Sequence, residues 1–156
     1  MKKTPIPIAT VLLFWAGFVC SISFMEAWLK FQAPGVTLPI GLSIGKLIFT
    51  ALNRMEWVFV LITVLLLLPA RKILTNRFNV LLGSIVFILL IQTFLLLPAL
   101  NLRAELIIAG TDPGGSPDHI LFGIAEVGKV LILLYLGIYS MKLLAKKNYK
   151  PNQVRM

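Results

Sequence analysis

The sequence predicts an all-α integral membrane protein: one four-transmembrane-helix bundle over residues 1–156, with both termini cytoplasmic. Three observations predict it. Hydrophobic residues make up 58% of the chain and charged residues 13%, against about 25% charged in soluble domains, so a soluble globular chain and a disordered one are both excluded. The apolar residues gather into four runs, each of a length that crosses roughly 30 Å of hydrocarbon as a helix. Most basic residues flank those runs on one side only of a four-span path.

The first span is expected over residues 6–27. Met1-Lys2-Lys3 in front of it mimics the start of a secretory signal. The run is longer than a signal's apolar core, lacks a clear small-x-small cleavage site and ends in Glu26, Trp28 and Lys30, so it reads as retained. The second run, 57–70, is too short by itself; extended to 50–70 it brings Arg54 and Glu56 to a membrane boundary. The third span is expected over 79–100, with Gln92 as its main polar interruption, and the fourth over 119–141, with Glu126 and Lys129 inside it. Backbone groups in lipid must be satisfied within the segment, so these are helices. Barrel strands need only about ten residues each.

Lys2 and Lys3 precede the first span. Arg71, Lys72 and Arg77 lie between the second and third, and Lys142, Lys146, Lys147, Lys150 and Arg155 follow the fourth. These are ten of the fifteen Lys and Arg residues, with no acid among them. The positive-inside rule places them in the cytoplasm, and the expected location is a bacterial plasma membrane (the cell inner membrane). The net charge of +9 does not point to nucleic acid, because the basic residues flank spans instead of forming a domain. The single cysteine, Cys20, excludes an internal disulfide and any Cys-based metal cluster within one chain; it reads as a small packed residue.

On the opposite side, residues 34–39 are turn-rich. Residues 41–53 read as helical, either continuing the second helix outward or lying along the interface. The Gly41-x-x-x-Gly45 spacing suits close helix approach, with a flexible interfacial turn as the other reading. In the second outer loop, two prolines and two glycines between Asp112 and Asp118 break any helix, and Asp112-Pro113-Gly114-Gly115 reads as a turn, not a phosphate cradle. Residues 106–110 are apolar and are expected to dip back against the membrane. Asp118 and Ser116 compete to cap the fourth helix.

Glu26, Lys30, Lys46, Arg54, Glu56, Arg103, Glu105, His119, Glu126 and Lys129 all fall in the outer half of this arrangement. A packing scaffold has no need of that asymmetry, whereas an outward-facing polar pocket between the helices explains it. The candidate ligand-binding residues are Glu26, Arg54, Glu56, Arg103, His119, Glu126 and Lys129. Glu126 and Lys129 are three apart on one helix face and are expected to neutralise each other. At about 1.5 Å per residue, Glu126 lies roughly 10 Å into the span and Lys129 close to its midplane. The pair reads either as a salt bridge that fixes packing or as part of a ligand, proton or metal site. His119 stands two turns before Glu126 on the same face. Glu26 and Lys30 are four apart and able to snorkel to water. Asn53 and Glu56 share a face; Arg54 points about 100° away from Asn53 and is expected to pair with Glu26 or Glu126. Glu126 and Glu56 are the candidate catalytic or proton-carrying groups.

Glu26, Glu56, Glu105 and Glu126, with His119, invite a bundle-core metal site. No Glu-x-x-His motif is present, one histidine cannot provide two haem ligands, and Lys30, Arg54, Arg103 and Lys129 would repel a cation. No metal ligand and no cofactor is assigned. The expected partner is a membrane lipid or quinone-like amphiphile, its head near Lys129, Arg54 or Arg103 and its tail between apolar helices. The chain has no P-loop, dinucleotide fingerprint or nucleophile elbow. A membrane-embedded oxidoreductase or lipid-modifying enzyme is the first alternative, with Glu126 or Glu56 as proton carrier. A structural subunit paired with a membrane protein partner or with further copies of the chain is the second. A transporter would need oligomerisation to enclose a pathway.

Trp15-Ala16-Gly17 early in the first span, Gly45-Lys46-x-x-Phe49 before the second and the stretch from His119 to Lys129 carry a resemblance over most of residues 10–140. On these motifs the chain resembles the small four-span membrane proteins grouped around transmembrane protein 205, the DUF4149-like proteins. Glu26 and the loop at 113–117 depart from that pattern. The resemblance implies a four-helix membrane protein and carries over no catalytic residue.

The charge distribution makes a direct topological prediction. Cysteines placed at positions 4 and 152 will react with a membrane-impermeant reagent only after the cells are permeabilised; labelling of either in intact cells would contradict the orientation.

Overall fold

The computed structural model describes residues 6–70 and 75–148. It contains four helices long and apolar enough to cross a membrane: α1 (Ile6–Gln32), α2 (Leu38–Leu67), α3 (Asn76–Ile108) and α4 (Asp118–Asn148). They form one small membrane-spanning bundle, and the described residues contain no strand. Of the ten flanking basic residues on which the expected orientation rests, Lys2, Lys3, Arg71, Lys72, Lys150 and Arg155 lie outside the described residues. Arg77 sits in the first turn of α3, and Lys142, Lys146 and Lys147 lie in the C-terminal part of α4.

At the end of the bundle that carries the connections 33–37 and 109–117, called outer after the expected orientation, every helix runs past its expected bound. Residues 41–53 extend α2 outward as continuous helix instead of lying on the interface. Pro39 falls in the first turn of α2, where a missing N–H costs no hydrogen bond. Residues 106–108, expected to dip back against the membrane, complete α3. Gly110, with φ at 81°, then supplies the left-handed conformation that turns the chain out of the helix. At the start of α4, Asp118 is itself helical, and its amide donates to Ser116 Oγ at 3.2 Å.

Gly41 and Gly45 both lie on the buried face of α2. A Cβ at Gly41 would overlap the Phe31 ring, and one at Gly45 would lie 2.8 Å from Lys30 Nζ. The small-residue spacing therefore admits the outer end of α1, which is the close approach such spacing permits.

The core runs through all four helices. Ile8, Leu12, Trp15, Ala16 and Val19 of α1 meet Leu52 and Phe59 of α2, Phe78, Leu82 and Ile85 of α3, and Val130, Leu133 and Leu136 of α4. Phe59 is surrounded from α1: Trp15 stacks on it with centroids 5.7 Å apart, and Phe14 and Phe18 meet it edge-on at 5.9 and 5.6 Å. Large apolar side chains also cover the outside, among them Phe14, Leu47, Leu61, Phe87, Phe94 and Leu131. A helix that is apolar on both its packed and its exposed faces is matched to lipid, not to water.

α3 changes neighbours midway. Its portion Asn76–Ile91 lies mainly against α4, and Leu97–Ile108 mainly against α2. A π-helical stretch, Gln92–Leu96, separates the two, with the Leu97 N–H bonded to the Gln92 carbonyl. Phe78, Leu82, Ile85, Leu89 and Gln92 are buried at alternating steps of four and three; the next buried residue, Leu97, comes five later. The wide turn inserts one residue and rotates the buried stripe. Pro98 explains its position, because proline has no N–H to give to the preceding turn and its ring crowds that turn's carbonyl.

Gly137 marks the closest approach of α4 to α1. A Cβ there would lie 2.6 Å from Leu13 Cδ2 and 2.7 Å from Leu13 Cγ. Gly137→Ala is expected to destabilise the bundle by about 1–3 kcal/mol through overpacking. Gly83→Ala, which opens onto free space, is expected to be neutral or stabilising. Thermal unfolding in detergent distinguishes them, and equal losses at the two positions would contradict the packing described.

Candidate functional site

The apolar stripe of each helix is interrupted by polar residues at one common level. On α1, Trp15 occupies the face of Leu12, Ala16 and Val19. On α2, Glu56 takes a place in the buried series Leu52, Glu56, Phe59 and Thr63, and on α3 Gln92 closes the series that begins at Phe78. On α4, Phe122, Glu126, Lys129, Leu133, Leu136 and Ser140 alternate at four and three, so both charges point inward. Helix periodicity thus delivers one ammonium, two carboxyls, an amide and an indole to the middle of the bundle.

Lys129 Nζ lies 2.6 and 2.7 Å from the two oxygens of Glu56 and 3.1 Å from Glu126 Oε1. An ammonium has three N–H donors, so its capacity is filled. Trp15 Nε1 donates to Glu56 Oε1 at 3.2 Å, and Gln92 Nε2 donates to Glu126 Oε1 at 2.8 Å. Lys129 and Glu126 have no exposed surface and Glu56 has 1%. Two acceptors in this centre, Glu126 Oε2 and Gln92 Oε1, have no protein donor. Each such buried atom costs about 1–3 kcal/mol if left unsatisfied.

Beside the centre, α2 and α3 are joined at the π-helical stretch. Asn53 Nδ2 and Trp57 Nε1 both donate to Thr93 Oγ1 at 3.0 Å, and the Thr93 hydroxyl donates to the Leu89 carbonyl at 2.7 Å.

A cavity of about 290 Å³ opens at the outer end, walled by all four helices. Lys30, Lys46, Arg103 and His119 project from an otherwise mostly apolar wall that includes Phe49 and Phe122. Lys30 Nζ lies over the Phe31 and Phe49 rings at 5.5 and 5.3 Å and pairs with Glu26 at 3.3 Å. Lys46 pairs with Glu105. Among the described residues, no carboxylate lines this cavity. The edge-to-face pair Phe49–Phe122, with centroids 5.5 Å apart, stands between the cavity and the ionic centre: Phe122 is one helical turn before Glu126, and Phe49 is two turns before Glu56.

The outer polar residues therefore divide into two groups instead of forming one pocket. Glu56, Glu126 and Lys129 come together in the buried centre, while Arg103 and His119 line the outer cavity. Glu26 is engaged by Lys30 on its own helix and does not line the cavity. Arg54 joins neither group. It is exposed in a shallow hollow beside Thr50 and Met55 and makes no ion pair among the described residues, so the expected pairing with Glu26 or Glu126 is corrected. The reason is angular: a residue about 100° from Asn53 and 200° from Glu56 cannot share their inward face. The expected pairing of Glu126 with Lys129 is present at 3.1 Å, but Lys129 is shared: Glu56 on α2 meets the same ammonium at 2.6 and 2.7 Å.

Four residues outside the expected set contribute. Trp15 and Gln92 belong to the buried centre, and Lys30 and Lys46 to the cavity. Gln92 carried a readable signal, since an amide in the middle of a span is costly unless it faces a partner. Trp15 carried none, because an indole is as suited to plain packing as to donating. Among the described residues, no three of His, Cys, Asp and Glu gather to hold a metal ion, and Cys20 is a free, half-buried thiol packed against the core. Comparison with protein-family models, curated proteins and solved structures finds no match.

The ionic centre predicts a strong non-additivity. Lys129→Met leaves Glu56 buried without its counter-ion and is expected to cost about 3–5 kcal/mol. The double change Glu56→Gln with Lys129→Met is expected to recover most of that loss. A cycle of thermal unfolding in detergent measures it; strictly additive losses would show that the two side chains do not interact.

Proposed function

We propose that this protein is a lipid-binding membrane protein that holds an anionic headgroup in the outer cavity of its bundle, with both termini cytoplasmic. The observation that carries the proposal is the wall of that cavity: Lys30, Lys46, Arg103 and His119 project into a mostly apolar space with no carboxylate among its described lining residues. Arg103 makes no ion pair among the described residues, which leaves a guanidinium to meet a phosphate or carboxylate in a two-pronged bond. Lys30 and Lys46 are steadied by Glu26 and Glu105 from outside the wall. At about 290 Å³ the cavity holds a headgroup and the first part of a chain. The remaining chain length lies along the apolar exterior, where Leu47 and Phe94 are exposed. A quinone or other neutral head gains less from four basic groups than an anion does. The resemblance to the transmembrane protein 205 group is compatible with this architecture and supplies none of these residues.

The purified protein, reconstituted in nanodiscs of phosphatidylglycerol mixed with phosphatidylcholine, is expected to enrich phosphatidylglycerol among its retained lipids, as read by native mass spectrometry. Arg103→Gln is expected to weaken that retention about fivefold, the effect of roughly 1 kcal/mol per basic residue near an anionic headgroup. Retention in the bulk lipid ratio, or retention unchanged by Arg103→Gln together with Lys30→Gln, would contradict the proposal.

A further inference from the structure

We infer that the centre of the bundle is a proton-binding site, in which Glu126 carries a proton on Oε2 and donates it to Gln92 Oε1. The inference rests on the two acceptors left over in the buried centre. Gln92 Nε2 donates to Glu126 Oε1 at 2.8 Å, and the atoms without a protein donor are the other oxygen of that carboxyl and the carbonyl oxygen of that amide. A carboxylic acid facing a primary amide makes two hydrogen bonds in one eight-membered ring: amide N–H to acid carbonyl, and acid O–H to amide carbonyl. The first is present. In this proposal a proton on Glu126 Oε2, directed at Gln92 Oε1, makes the second, and that one proton satisfies both remaining atoms.

Charge points the same way. Two ionised carboxylates and one ammonium would leave an uncompensated negative charge where Glu56, Glu126 and Lys129 are all buried. A proton on Glu126 makes the cluster neutral, and a group that would be charged in a dry interior neutralises in preference to remaining unpaired. The hydrogen bonds distinguish the two acids. Glu56 takes two bonds from Lys129 and one from the Trp15 indole, the pattern of a carboxylate. Glu126 takes one from Lys129, one from Gln92, and has an oxygen to spare. Among the described residues, Glu126 is bonded by Lys129 on its own helix and by the neutral Gln92 from α3; Glu56 from α2 shares the Lys129 ammonium, and the α1 indole of Trp15, which does not titrate, is bonded to Glu56. A metal cation is a poor occupant for the same two oxygens, because the Lys129 ammonium stands 3.1 Å from Glu126 Oε1.

Infrared difference spectroscopy of the full chain in bilayers reads this proton directly. The wild-type protein is expected to show the carbonyl stretch of a protonated carboxylic acid, shifted on exchange into heavy water. Glu126→Gln should abolish that band while leaving a folded bundle, since an amide facing Gln92 keeps two hydrogen bonds. Gln92→Leu should keep the band and move it to higher frequency, because the acid has lost its amide partner. Absence of the band in the wild type, as when water satisfies both oxygens, would overturn the inference. Persistence of the band in Glu126→Gln, or an unmoved band in Gln92→Leu, would overturn it equally.

Discussion

A charged ammonium with no exposed surface, Lys129 in the middle of a lipid-embedded bundle, is the constraint on which the rest of the architecture depends. In a membrane, burying one more apolar side chain between helices gains little, because lipid tails are as apolar as leucine. Apolar packing alone therefore leaves the helices free to slide past one another by a residue or a turn. The ionic centre removes that freedom. Lys129 and Glu126 set the level on α4, Glu56 must meet Lys129 from α2, Gln92 must meet Glu126 from α3, and Trp15 must reach Glu56 from α1. A shift of one residue in any helix would turn its polar group by about 100° and leave a buried charge or donor without a partner.

The surrounding features serve that registration. The π-helical stretch Gln92–Leu96 begins at the residue that faces Glu126 and lets α3 move from α4 to α2 while still presenting Gln92 inward. Such wide turns recur at functional positions in helices, and here Pro98 gives it a covalent cause. Gly137 brings α4 down onto α1, and the aromatic group around Phe59 holds α1 against α2 on the inner side of Glu56. Outward of the centre, Phe49 and Phe122 close it off from the cavity lined by Lys30, Lys46, Arg103 and His119. The two polar regions thus sit in series along the bundle axis, one buried and built of two carboxyls around one ammonium, the other open and basic.

The bundle was largely legible in the sequence because hydropathy and helix length are local properties. The concentration of charge toward one end was legible for the same reason. Pairings between helices were not. Glu126 and Lys129 stand three apart and were visible as neighbours, yet the stronger partner of Lys129 is Glu56, seventy-three positions away in sequence, and no periodicity reports that. The angle of Arg54 from Asn53 already points it away from the interior and so excludes Glu126 as a partner. Lys30 and Lys46 were legible as charges near one end of the bundle but not as lining residues of one cavity, because the folding of α1's outer end onto Gly41 and Gly45 depends on the tertiary approach of Phe31. The outer length of α2 and α3 was underestimated because hydropathy falls before the helix ends.

The most direct test of this account is the distance between the Lys129 side-chain nitrogen and the carboxyl carbons of the bundle, measured by solid-state NMR dipolar recoupling on isotope-labelled protein in lipid bilayers. The account predicts a strong coupling from Lys129 Nζ to the Glu56 carboxyl, lost in Glu56→Gln, and a weaker one to Glu126. A Lys129 nitrogen that couples to Glu126 alone, or to no carboxyl, would mean that the helices are not registered by this centre.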